Sequence, residues 1–185
     1  NGDGSVNPNG GPKDGMIRTD KDLEWAKAMQ AAGYSFQPHN NIAQNGLWYG
    51  EYIYADANGD GIYGSSYDYE FQGKSYNPKY NFGLFASASY KGFDMSMQWG
   101  GAAGFGIYYC SQGRNSSETI YGYAIPDAVA DDHYFYDPSN PSDPRTNIDS
   151  KNPRLVNVSG SQSAATSSLH LENGSYLKLR NLTIG

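Results

Sequence analysis

The residues with the clearest chemical spacing lie in the stretch YADANGDGIYGSSYDYE, from Tyr54 to Glu70. Asp56, Asn58 and Asp60 alternate and Gly61 follows, so oxygen donors stand at positions 1, 3 and 5 of a loop with a glycine at position 6. Calcium takes six or more oxygen ligands, and such an alternation around a sharp turn supplies them. Ile62, at position 7, would offer its backbone carbonyl. Position 12, where a bidentate acid belongs, is Tyr67, and Asp68 comes one residue later. Two readings stay open: a structural Ca2+ held by Asp56, Asn58, Asp60, Ile62 and Asp68, or an Asn-Gly and Asp-Gly turn with solvated acids.

Other reactive residue types are scattered. His39, His133 and His170 are far apart, and Asp131, Asp132 and His133 come without a nucleophile elbow or an HExxH pair. Glu51, Asp56 and Glu70 would serve glycoside hydrolysis only if the fold set a pair of them at a working separation. No residue is assigned a catalytic role, and the chain reads as a non-enzyme. Trp48, Tyr49, Tyr121, Tyr123, Tyr134, Phe135 and Tyr136 could stack on the C–H faces of sugar rings, though packing within loops is the plainer role. Asn115, Asn157, Asn173 and Asn181 each begin an N-x-Ser/Thr triplet, which matters only in a eukaryotic secreted protein. The single cysteine, Cys110, rules out a disulfide framework within the chain and reads as a small buried hydrophobe.

The elements that must position these residues are strands and turns. The 185 residues include 17 Tyr and 23 Gly, with only 17% charged; that balance favours a β-rich chain over a helical bundle. The net charge is −6 and no basic run is present, which argues against a nucleic-acid partner. Mean hydropathy is −0.69, and no run approaches the ~18 apolar residues of a membrane helix. A membrane β-barrel stays open, because its strands alternate and average out as polar. The chain begins without Met and reads as a piece of a longer protein.

One helix is predicted over 20–32. Thr19 and Asp22 resemble a capping box, Gly33 is a natural stop, and Leu23, Ala26 and Met29 or Gln30 form a weak apolar stripe. Residues 47–54 (LWYGEYIY) suit a strand, and 72–79 read as a turn. The strongest signal is 80–103. Tyr80, Phe82, Leu84, Ala86, Ala88 and Tyr90 alternate with small or polar residues, apart from Phe85. After Lys91-Gly92 the alternation restarts with Phe93, Met95, Met97 and Trp99. A two-residue turn sets Tyr90 opposite Phe93, so both apolar stripes share one face. Residues 104–168 read as a long loop. Residues 169–184 resume strand character, but Leu177 and Leu179 are out of phase with Leu182 and Ile184, which predicts a bulge or a change of surroundings along the strand. The hairpin pattern suits a soluble sandwich or a membrane barrel. Its small, nearly uncharged second face, its strand length and its aromatic ends all fit the barrel.

Three segments carry a resemblance. YADANGDG (54–61), NPKYNFGLFASASYKGFDMSMQWGG (77–101) and LENGSYLKLRNLTIG (171–185) are similar, in order and spacing, to the C-terminal third of SusC-like TonB-dependent outer-membrane transporters of gut Bacteroidetes. The similarity covers roughly 46–103 and 169–185; 104–168 is a region where that family varies. It implies an all-β chain, part of a 22-stranded antiparallel transmembrane β-barrel with long extracellular loops and one short surface helix. On that reading 1–79 is an extracellular loop region carrying the helix 20–32 and the acidic loop 56–68. The barrel hairpin is 80–103, with its turn at 91–92. Residues 104–168 form a long extracellular loop, and 169–185 a barrel strand that stops mid-pattern. It further implies import of oligosaccharides or peptides across the bacterial outer membrane. A SusD-like surface lipoprotein would act as lid, and TonB would act through a plug that this chain does not contain. The alternative is a soluble secreted β-rich carbohydrate-binding module with a calcium-stiffened loop; a glycan hydrolase ranks third.

Overall fold

A computed structural model describes residues 6–108, 125–156 and 167–185. Cys110, Asn115, Tyr121, Tyr123 and Asn157 lie outside the described residues. The described residues form two units, one of 6–71 with 125–156 and 167, the other of 72–108 with 168–185. Among the described residues strands predominate over helix, consistent with an all-β fold, and one helix is longer than a single turn.

That helix, α1 (Asp20–Ala31), organises the first unit. Thr19 caps it as expected: its hydroxyl accepts from the Asp22 N–H, and the Asp22 carboxylate accepts from the Thr19 N–H at 2.9 Å. Leu23, Ala26 and Met29 are its buried residues, three apart on one face. They join a core with Met16, Ile17, Phe36, Leu47, Tyr49 and Tyr134. Gly33 (φ +96°) turns the chain out of the helix, and the chain then pairs β1 (Ser35–Phe36) in parallel with β2 (Ile62–Tyr63).

Residues 47–54 do not form the expected strand. A single antiparallel bridge, Met16 with Tyr52, is all the ladder they make. The cause is Gly50, which turns at φ +80° and lies so close under the Tyr134 ring that a Cβ there would sit 2.5 Å from it. Only glycine meets both demands. The segment 104–168 is not featureless either. It contains β5 (Gly106–Tyr108), one helical turn (Asp127–Ala130) and bridges joining His133 to Asn152 and Phe135 to Asn147.

The second unit contains a three-stranded antiparallel sheet in the order β3 (Tyr80–Tyr90), β4 (Phe93–Ala103), β7 (Tyr176–Ile184). The β3–β4 register is the one expected from the turn, running from Tyr90 opposite Phe93 to Tyr80 opposite Ala103. Lys91 (φ 52°) and Gly92 (φ 85°) both turn left-handed, the geometry of a type I′ hairpin. The β4–β7 register slips between Gln98 and Trp99, whose partners are Asn181 and Leu179, so Arg180 is the extra residue of a bulge. That bulge resolves the phase slip. Ile184, Leu182, Leu179 and Leu177 pair with Met95, Met97, Trp99 and Gly101, all on the hairpin's apolar face. Beyond Ala103 the ladder breaks at Gly104 and Phe105. It resumes as β5 paired with β6 (Leu171–Asn173).

Candidate functional site

The first candidate is the apolar face of the sheet. Its rows, read along the strands, are Tyr80 with Ala103; Phe82, Gly101 and Leu177; Leu84, Trp99 and Leu179; Ala86, Met97 and Leu182; Ala88, Met95 and Ile184; and Tyr90 with Phe93. Aromatic rings mark both ends, and the middle rows are aliphatic apart from Trp99. The face is open: Leu84 is 61% exposed, Leu182 50% and Ile184 60%. A contiguous apolar patch of this kind marks a surface that something apolar covers. The ten residue steps from Tyr80 to Tyr90 cover ~34 Å along the strand, or ~24 Å of depth at a ~45° tilt. Apart from Phe85 and Tyr176 the opposite face is mostly small or polar, with Ser87, Ser96 and Thr183 in one row and the Arg180 side chain lying over Gly100. Neither β3 nor β7 has a further strand on its outer edge among the described residues. Open edges of this length invite more strands.

The second candidate is the acidic loop, where hydrogen bonds within the loop take up the side-chain oxygens. Asp56 accepts from the N–H groups of Gly59 (2.7 Å), Asp60 (3.1 Å) and Gly61 (2.9 Å). Asn58 Oδ1 accepts from the Asp60 N–H, and Asp60 accepts from the Ile62 N–H and the Asn58 side-chain amide. Asp68 closes the loop from eleven residues away. It accepts from Ala57 N–H at 2.8 Å and Asn58 N–H at 3.4 Å on one oxygen, and from Ser65 N–H at 2.7 Å on the other. Burial works against the charge of Asp68. The N–H groups of Ala57, Ser65 and Asn58 and the Ser65 hydroxyl outweigh it and hold the carboxyl below the usual carboxylate range. A carboxyl lowered on folding stabilises the loop at pH values above its ordinary ~3.9, and that hold is lost as the pH falls through the lower folded value. The structure thus joins Asp56, Asn58, Asp60, Ile62 and Asp68 through one hydrogen-bonded loop. Among the described residues no group of three or more His, Cys, Asp or Glu side chains is gathered as metal ligands would be.

The third candidate was not visible as a site in the sequence. Within the first unit a cavity of about 710 Å³ is lined by residues from 44–49 and 131–156. Trp48, Tyr49, Phe135 and Tyr136 are among its walls, with Asp131, His133, Asn147, Arg145 and Arg154 as polar groups. Beside it lies, among the described residues, the one ion pair that burial makes costly. Glu51 is fully buried, and Arg154 Nε donates to its Oε1 at 2.9 Å. Glu51, named in the sequence beside Asp56 and Glu70, is thus half of a buried ion pair and not a solvated loop acid. Tyr49 and Tyr134 are buried, with their hydroxyls donating to the Asp20 carboxylate and the Arg18 carbonyl respectively. Burial, reinforced for Tyr49 by that carboxylate, raises both phenols above their ordinary range.

Compared with known proteins, the chain is matched by no family model and by no curated protein.

Proposed function

We propose that the chain is part of a SusC-like TonB-dependent transporter that imports oligosaccharides or peptides through the bacterial outer membrane under a SusD-like lipoprotein lid. The observation that supports this reading best is the exposed apolar face of β3, β4 and β7, aromatic at both ends and ~24 Å deep at barrel tilt. A polar small-residue face backs it, a two-residue turn closes one end, and about sixty residues separate β5 from β6 beyond the other. Both outer edges are free to continue into a 22-stranded barrel, and closure is what an edge in lipid requires. The chain would contribute wall and extracellular loops; the plug, the TonB contact and the lid would come from elsewhere.

Trp99 tests the reading, because it sits in a middle row of the apolar face while Trp25 and Trp48 belong to the first unit. In vesicles with brominated acyl chains, part of the tryptophan emission is expected to be quenched, and Trp99→Phe is expected to remove that quenched part. Quenching that is absent, or that survives Trp99→Phe, overturns the membrane-facing assignment and favours a soluble module.

Calcium belongs to the same proposal as a stiffener of the loop at 56–68. Side-chain oxygens of Asp56, Asn58, Asp60 and Asp68 and the Ile62 carbonyl would hold it, the oxygen-only donor set that calcium prefers. Saturating Ca2+ at a hundred times its dissociation constant would stabilise the unit by about 2.7 kcal/mol. The expected result is a rise in melting temperature that EGTA reverses and that Asp60→Ala abolishes. An equal response in Asp60→Ala discards the metal.

A further inference from the structure

We propose that the cavity of the first unit binds an acidic sugar ring, a uronate, with the C–H face of the ring on its aromatic wall and the ring carboxylate on Arg145 and Arg154. This deepens the transporter reading by naming a class of cargo, and it rests on that reading for the cargo role alone. At about 710 Å³ the cavity falls in the size range of sites for small organic ligands. Trp48 and Tyr136 are half-buried, line it, and each packs edge-on against Tyr49, with ring centroids 5.2 and 5.1 Å apart. A near-perpendicular contact with a buried neighbour fixes each ring in place, and a fixed ring on a cavity wall is what stacking on a sugar needs.

The two guanidinium groups, each already paired with one carboxylate, keep further N–H donors for a second. Arg145 donates from Nε and Nη2 to Asp143 at 3.0 and 2.8 Å, and its guanidinium lies 4.5 Å from the Phe135 ring centre. Arg154 donates from Nε to Glu51 at 2.9 Å and from Nη2 to the Gly46 carbonyl at 3.0 Å. Each therefore keeps its Nη1 group without a hydrogen bond among the described residues, and each is held in orientation by the bonds it already makes. Arginine stays protonated at any working pH, so these donors are always available to a carboxylate. His133 supplies the complementary group for hydroxyls. Its Nδ1 lies 2.6 Å from the Ala130 carbonyl, which can only accept, so in the neutral ring Nδ1 carries the proton and Nε2 accepts. Asp131 is the one carboxylate on the lining, and it is exposed. An aromatic wall, two oriented guanidinium edges and one acceptor together describe a ring with hydroxyls and a carboxylate.

The test is calorimetric titration of the full chain in detergent micelles with a galacturonate trimer and with its methyl ester, which keeps the rings and removes the charge. The acid is expected to bind about tenfold more tightly than the ester, the difference one charge-assisted contact makes. Arg145→Gln, at a side chain 72% exposed and so outside the core, is expected to narrow that difference, because Arg154 alone then meets the carboxylate. Trp48→Ala is expected to weaken both ligands. Equal affinities for acid and ester, a preference undiminished by Arg145→Gln, or no binding of either overturns the proposal. None of these outcomes touches the quenching of Trp99, so the membrane reading stands or falls separately.

Discussion

Replacing Glu51 with alanine is expected to destabilise the first unit by about 3–5 kcal/mol, the usual cost of removing one partner from a buried pair. Glu51 is fully buried and the Arg154 side chain only 14% exposed, with 2.9 Å between Nε and Oε1. Without the carboxylate, Arg154 keeps the Gly46 carbonyl at 3.0 Å and its own N–H bond to the Gly50 carbonyl at 3.1 Å. Its charge cannot leave, because arginine does not deprotonate, and with the side chain only 14% exposed it meets water at little more than its edge on the cavity. The pair ties 46–51 to 154, and Gly50 lies close beneath the Tyr134 ring. Replacing both partners with leucine and methionine removes the stranded charge and is expected to recover most of the loss. Denaturant midpoints of the two single variants and the double variant measure this directly. A Glu51→Ala cost under about 1 kcal/mol, the level of surface pairs, would show that Arg154 finds solvent.

This pair also shows where sequence reading stops. The hairpin was legible residue by residue, because period-two alternation and a Lys-Gly turn are local signals that agree with each other. The bulge at Arg180 was legible as a phase slip. Its purpose, bringing Leu177 and Leu179 onto the face of Leu182 and Ile184, needed the β4 partner. The capping box of α1 was local as well. Residues 47–54 looked like a strand because their composition is that of one. What broke the strand was a ring 84 residues away, at Tyr134, over Gly50. The same distance hid Glu51 and Arg154, and with them the cavity. Its lining comes from 44–49 and 131–156, two stretches that are each only polar loops dotted with aromatics. In the acidic loop the spacing of Asp56, Asn58 and Asp60 was plain, whereas the closure by Asp68 onto Ala57 depends on a capped turn at Ser65 that spacing does not announce.

Replacing Met97 with arginine is expected to cost about 2–4 kcal/mol in a bilayer, and the same change at Phe93 only about 0–1 kcal/mol, because the penalty for a charge facing lipid falls from midplane to interface. Met97 lies in a middle row with Ala86 and Leu182, whereas Phe93 lies in the end row with Tyr90. A protein core would also reject arginine at Met97, so that cost alone decides nothing. The gradient decides, since a side chain buried against protein has no reason to be tolerant at one end of a strand and intolerant two rows on. Gln98→Arg supplies the control for register. Its side chain is on the opposite, polar face between Phe85 and Asn181, where a barrel lumen would accept a charge with little change in stability. Urea midpoints of the three variants, refolded into vesicles, should order Met97→Arg far below Phe93→Arg and Gln98→Arg. Equal penalties at Met97 and Phe93 would mean the face is covered by protein along its whole length. A large penalty at Gln98 would mean both faces are packed, as in a sandwich, and the small polar residues on that face would then need a partner surface of their own.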